Sequence, residues 1–122
     1  AAEHVLPMPM SAARLGQRGY NPALLLARRL ARSRTRADLL LRTRDTPPQR
    51  SLPRAQRLKN VRGAFQVDPL RAQALQGRRV VLVDDVMTTG ASVREAAAAL
   101  RAAGAAQVTV LVLARTDEPA RN

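Results

Sequence analysis

Two adjacent carboxylates, Asp84 and Asp85, follow the apolar run Val80 to Val83 and stand directly before "VMTTGAS". Thr88, Thr89 and Ser92 offer hydroxyl groups, and Gly90 lets the backbone approach a ligand closely. A helix that begins here presents unpaired N–H groups and the positive end of its dipole, which suits a phosphate. The carboxylates would repel that phosphate. They make sense beside it if they accept hydrogen bonds from sugar hydroxyls or assist a bound Mg2+. The combination describes a ribose phosphate, held by its phosphate at one end and by its hydroxyls at the other.

Competing motifs fit less well. No Gly-Lys-Ser/Thr is present, so this is not a Walker loop, and the further glycines of a dinucleotide fingerprint are missing. Receiver domains also pair aspartates after a strand to hold Mg2+. They need a phospho-accepting aspartate at the end of a later strand, and the strand expected at 108–113 has none. A turn or helix cap would need only one aspartate.

The elements around the motif must hold it at the edge of a core. "RRVVLVD" reads as a strand covered on both faces, because its apolar residues do not alternate with polar ones. "SVREAAAALRAAG" reads as a helix stopped by Gly104, and "AQVTVLVLART" as a second buried strand. Strand, helix, strand is a βαβ unit, and such sheets bind ligands beyond the carboxyl ends of their strands. "HVLPMPM" is extended, since Pro7 and Pro9 forbid helix. "SAARLGQRG" reads as a basic loop. "NPALLLARRLARS" is predicted helical, with Asn21 as N-cap, Pro22 in the first turn, and a buried stripe of Leu24, Leu25, Ala27 and Leu30. "ADLLLRTRD" and "GAFQV" are predicted strands. "TPPQRSLPRAQRLKNVRG" between them reads as a long mobile loop with one helical turn near Arg54–Lys59. "DPLRAQALQG" is a turn and short helix closed by Gly77. The pattern predicts one α/β domain over residues 1–122, with a mainly parallel central sheet flanked by helices.

Composition narrows the chemistry. The 122 residues contain no cysteine and one histidine, His4, which excludes disulfides and thiolate or histidine-rich metal sites. His4 is expected to be an incidental surface residue. Aromatics are confined to Tyr20 and Phe65, which are expected to pack rather than to stack on a base. No apolar run approaches the roughly 20 residues that span a bilayer. No basic segment precedes an apolar one at the start, so no signal peptide is expected and a cytoplasmic location follows. The net charge is +12, and Lys59 is the one lysine among 21 basic residues. That surplus favours polyanionic partners without choosing among them.

Residues 80–92 resemble, position by position, the phosphoribosyl-pyrophosphate (PRPP) signature of type I phosphoribosyltransferases. With "VLPMP", "RLGQRGYNPALLLARRLA", "TPPQRSLPRAQRLKNVRGAF" and "VVLVDDVMTTGASVREAAAALRAAGA", nearly the whole chain resembles the ComF family of competence-associated phosphoribosyltransferase-like proteins. The resemblance implies the type I phosphoribosyltransferase fold with a flexible loop over the active site. It implies that Val86, Met87, Thr88, Thr89, Gly90, Ala91 and Ser92 bind the 5′-phosphate and that Asp84 and Asp85 take the ribose hydroxyls. Met10, Ser11, Arg14 and Arg18 fall where that fold binds pyrophosphate. Gln49, Arg50, Arg57 and Asn60 fall on the flexible loop. Asp84, Asp85 and Arg57 are the implied catalytic set, with Mg2+ carried by PRPP and touched at most by the two aspartates.

Pro22 stands where family members usually have glutamine. The four-cysteine zinc ribbon and first helix common in that family are missing from this sequence, which reads as a shortened chain with apolar surface left open unless another chain covers it. Two functions remain in view. One is a phosphoribosyltransferase of unknown acceptor, linked to DNA uptake in natural competence. The other is a non-catalytic module binding single-stranded DNA or a competence-machinery protein. A homodimer is compatible with either.

Overall fold

Three strands meet in a parallel sheet in the order β1-β4-β5, where β1 is His4–Pro7, β4 is Arg79–Met87 and β5 is Gln107–Arg115. The computed structural model describes residues 2–10, 12–43, 63–87 and 90–115. β4 lies in the middle, with Leu6 opposite Leu82 on one side and Leu82 opposite Val110 on the other. Thr35 adds a single parallel bridge to Val5 beyond β1.

Val80, Leu82 and Val83 of β4 are buried and Val81 is half-buried, in line with their unalternating pattern. Side chains of a strand point alternately to the two faces. Val80 and Leu82 face a core with Leu6, Leu39, Phe65, Leu75, Ala96 and Leu100. Val83, on the other face, packs with Val5 and Ala27. Helix α3 (Ala91–Ala102) belongs to the first core, while helix α2 (Pro22–Ala31) gives Ala23 to the first and Ala27 to the second.

β2 (Leu40–Arg42) and β3 (Phe65–Val67) are the strands expected in those segments, but they pair antiparallel as a separate two-stranded sheet. A three-residue strand carries too little pattern to reveal which sheet it joins. Their hairpin holds the two ends of segment 44–62 together, because the Thr43 N–H donates to the Ala64 carbonyl at 2.8 Å. The segment itself, read from sequence as a mobile loop with one helical turn, lies outside the described residues.

Several sequence readings are corrected. Residues 12–18, expected as loop, form helix α1 (Ala12–Arg18). Ala, Leu, Gln and Arg outweigh the one interior glycine, and Gly19, at φ +84°, ends the helix by donating its N–H to Leu15 at 2.7 Å. The buried face of α2 is made by Ala23 and Ala27, whereas Leu25 and Leu30 are exposed. The small alanines are the fully enclosed ones, and leucine on a flank cannot be told from leucine in the core by type alone. β5 forms as expected but is not buried: Val110, Leu111 and Leu113 are 38%, 43% and 69% exposed. An apolar run looks the same whether its strand is central or at the edge of a sheet.

Asn21 does more than cap. Its Oδ1 accepts from the Ala23 N–H at 3.0 Å, while its Nδ2 donates to the Met8 carbonyl at 3.1 Å. It therefore joins the start of α2 to the chain leaving β1. Asn21→Ala is expected to lower stability by about 1–2 kcal/mol, the range for lost N-caps, read from the midpoint of urea unfolding. His4, expected as an incidental surface histidine, is half-buried, with its Nε2 3.0 Å from the Ala74 carbonyl. It ties β1 to the 3-10 turn Ala72–Leu75, the short helix expected before Gly77.

Candidate functional site

Asp84 and Asp85 lie in the last turns of β4 before its end at Met87. Both are half-buried. Asp84 is opposite Val112 of β5, so its neighbours across the sheet are apolar. Burial pushes its carboxyl up to about 7; the charge of Asp85 and a hydrogen bond with that carboxyl add to the effect, while the Asp85 backbone N–H opposes it. The fold thus holds an acidic group in a place that disfavours its charge. Such a cost is common where a ligand later supplies the missing cationic or hydroxyl partner.

The chain after β4 turns into α3 through Gly90. Gly90 has φ +81°, a left-handed conformation that glycine adopts without penalty. α3 opens at Ala91 after Gly90, whose lack of a side chain leaves it unable to cap the helix, and Ala91 and Val93 are buried while Ser92 is half-buried. Ser92 was expected near the helix start and is its second residue. The Arg94 N–H closes the first turn on the Gly90 carbonyl at 2.9 Å.

β1 delivers a second chain segment to the same end of the sheet. Pro7 is paired with Val83, and the Met8 N–H donates to the Val83 carbonyl at 2.8 Å. Met10 follows directly, and α1 begins two residues later. Arg14 is on this helix and Arg18 is its last residue. The Arg18 guanidinium lies 5.8 Å from the centre of the Tyr20 ring. Tyr20 is 48% exposed, which corrects the expectation that it packs; Phe65 does pack, at 6% exposure.

The structure therefore brings Asp84, Asp85, Gly90, Ala91 and Ser92 together on the β4–α3 connection, and it brings Met8, two residues before Met10, to the same end of β4. Val86 and Met87 complete β4. Ser11, Gln49, Arg50, Arg57, Asn60, Thr88 and Thr89 lie outside the described residues. Glu95 was not foreseen in sequence. Its Oε2 accepts from the Gly63 N–H at 3.2 Å, so the second turn of α3 anchors the chain where it returns from segment 44–62. Nothing in the type or spacing of a helix glutamate gives this away.

Mg2+ suits this donor set in one way only. No group of three or more His, Cys, Asp or Glu side chains gathers among the described residues. A pair of carboxylates is too few for an all-protein cage, and Mg2+ is commonly held by one or two carboxylates, water and substrate phosphates. Asp84 and Asp85 fit that mode.

Comparison with known proteins agrees with the geometry. The family model described as the phosphoribosyl transferase domain matches residues 17–122. The chain is 37% identical over 117 residues to the DNA utilization protein YhgH of Escherichia coli O6:H1, covering 93% of this chain and 50% of that protein. It is 36% identical over 116 residues to competence protein F of Haemophilus influenzae, again covering 93% of this chain and 50% of the relative. The chain thus spans about half the length of the curated relatives it matches. Among solved structures, glutamine PRPP amidotransferase from B. subtilis, in complex with ADP and GMP, superposes with a TM-score of 0.55 at 21% identity. That match covers 93% of this chain and 23% of the other, and it speaks for the fold alone. No helix among the described residues is long and apolar enough to cross a membrane.

Proposed function

Because the chain belongs to the phosphoribosyl transferase domain family, we propose that it binds PRPP, or a ribose 5-phosphate, with Mg2+ at the β4–α3 connection. The observation that carries this reading is the half-buried Asp84–Asp85 pair on β4, with a left-handed glycine at the start of the helix that follows it. The carboxylates take the ribose hydroxyls. The N–H groups from Gly90 to Ser92, with Thr88 and Thr89, take the 5′-phosphate. Met10, Ser11, Arg14 and Arg18 meet the pyrophosphate, and Arg57, Gln49, Arg50 and Asn60 complete the site from segment 44–62.

Such a site favours phosphoribosyl transfer. The bond from C1 of the ribose to the pyrophosphate oxygen breaks, and a bond from C1 to an acceptor nucleophile forms. Mg2+, where Asp84 and Asp85 held it with PRPP, would supply neutralising charge to the leaving group. Arginines add to that neutralisation, and excluding water spares the oxocarbenium-like carbon. The names of the relatives suggest a setting in DNA uptake during competence, and we propose that setting for the whole protein.

Calorimetric titration of PRPP in the presence of Mg2+ tests the binding; absence of heat at millimolar PRPP would sink the assignment. The pH dependence is a sharper check. With its pKa raised to about 7, Asp84 carries a proton below that pH and must lose it to accept from a ribose hydroxyl. Affinity should rise about tenfold from pH 6 to pH 8, as expected for release of one proton, and level off above. The same profile in Asp84→Asn should be nearly flat, which separates this group from the titration of PRPP itself.

A further inference from the structure

Glu95 stands one helical turn beyond Ala91, on the helix that begins where the carboxylate strand ends. It is half-buried, and its Oε2 accepts the Gly63 N–H at 3.2 Å. Gly63 is the first described residue after segment 44–62, and its φ of +71° is left-handed. A Cβ added there would meet nothing within 4 Å, so the backbone angle, and not crowding, calls for glycine.

The residues after Gly63 need no help from Glu95. Ala64 is fully buried and Phe65 is buried with it, in one core with Val93, Ala96 and Leu100 of α3. On the other limb of the hairpin, the Thr43 N–H donates to the Ala64 carbonyl at 2.8 Å and the Thr43 hydroxyl donates to the same oxygen at 3.3 Å. Packing and pairing therefore already hold the start of β3. Glu95 reaches one residue further, to the point where the backbone leaves the core. Holding it there costs the side chain rotamer freedom and its carboxylate part of its hydration. A helix glutamate left in water would avoid both costs. What the contact adds is a fixed direction for the chain at Gly63.

We propose that Glu95 is a positioning residue for the pyrophosphate half of the site, setting the end of segment 44–62 at a fixed place relative to the phosphate-binding turn of α3. This rests on the proposed reading of the β4–α3 connection as a ribose-phosphate site completed from segment 44–62. Glu95 itself touches no ligand. α3 carries the start of that site on its first turn and Gly63 on its second, so one rigid element gives both a common frame. Two ligands should therefore respond differently. Ribose 5-phosphate needs Asp84, Asp85 and the start of α3. PRPP needs the groups of the neighbouring segment as well.

The test is calorimetric titration of PRPP and, separately, of ribose 5-phosphate, each with Mg2+, into wild type and three variants. Glu95→Ala should bind PRPP about tenfold more weakly, the size of one lost hydrogen bond to a charged group, and ribose 5-phosphate within about twofold of wild type. Glu95→Gln keeps an acceptor oxygen at the same reach and should bind PRPP within about threefold of wild type. Glu95→Asp keeps the charge but is one methylene short, and should behave like Glu95→Ala. Without ligand, amide exchange at Gly63, read by NMR, should be faster in Glu95→Ala and Glu95→Asp and unchanged in Glu95→Gln. The proposal fails if Glu95→Ala binds PRPP as wild type does, or if it loses both ligands alike, the mark of a general disturbance of α3. It also fails if Glu95→Asp keeps PRPP affinity while Glu95→Gln loses it, since charge and not the hydrogen bond would then be at work. A wild type that binds neither ligand overturns the reading of the whole site and this role with it, whereas the variant outcomes overturn the role of Glu95 alone. Thermal unfolding of each variant confirms that the fold is kept.

Discussion

Asp84→Asn combined with Asp85→Asn is expected to abolish PRPP binding while making the fold more stable. The two effects share one cause. Asp84 sits where burial and the neighbouring carboxylate raise its pKa from 3.8 to about 7. A group whose pKa is raised in the folded state stabilises the fold fully below its unfolded pKa, and that contribution is lost as pH rises through the folded value. From about pH 4 to pH 7 the pair therefore weakens the fold progressively. Asparagine keeps the shape and carries no charge, so above pH 7 the variant should gain on the order of 1–3 kcal/mol, each pKa unit being worth about 1.4 kcal/mol. Below pH 4 the two proteins should be alike. Urea unfolding at pH 4 and pH 8 reads the stability, and calorimetry reads a loss of affinity of at least a hundredfold. Loss of binding without the pH-dependent gain in stability would mean that the pair is not strained in the free protein.

The largest loss of stability is expected at Leu82. Its side chain is fully buried in the middle strand, packed on the same core as Leu6 and Leu100. Leu82→Ala should cost about 3–4 kcal/mol, the sum of lost transfer energy and an uncollapsed cavity. Small domains are stable by only about 5–15 kcal/mol, so this one change should bring the midpoint of unfolding close to ambient conditions. Leu113→Ala is the contrasting case. It removes the same atoms from a side chain 69% exposed and should cost less than about 0.5 kcal/mol. Equal losses at the two positions would show that β5 is covered in solution.

The parts of this fold that could be read in the sequence are those where one residue type leaves one physical option. Gly90 and Gly104 stand where φ is positive, and Asn21-Pro22 starts a helix. The valines of β4 require cover on both faces, and the carboxylates that follow them have no structural reason to be paired. What could not be read depends on partners distant in the chain. Leu25 and Leu30 look like core residues until the sheet is found to meet Ala23 and Ala27. The exposure of β5 follows from its place at the edge, which no local pattern encodes. α1 was hidden by its interior glycine, and Glu95 by its ordinary setting. For the site, the carboxylate pair at the end of β4 and the glycine turn into α3 were legible. The anchoring of the neighbouring chain by Asn21 and Glu95 was not.

β5 carries a final consequence. Its nine residues, "QVTVLVLAR", have high β-propensity and no proline, and no charge before Arg115. A long apolar strand at a sheet edge is a template on which other chains can add. The +12 charge works against that encounter between like copies, because their repulsion reaches about 10 Å at 0.1 M salt, farther than any strand hydrogen bond. The arginines thus act as a colloidal barrier. Any condition that neutralises or screens them removes what keeps the open edges apart, so self-association along this strand should rise with salt.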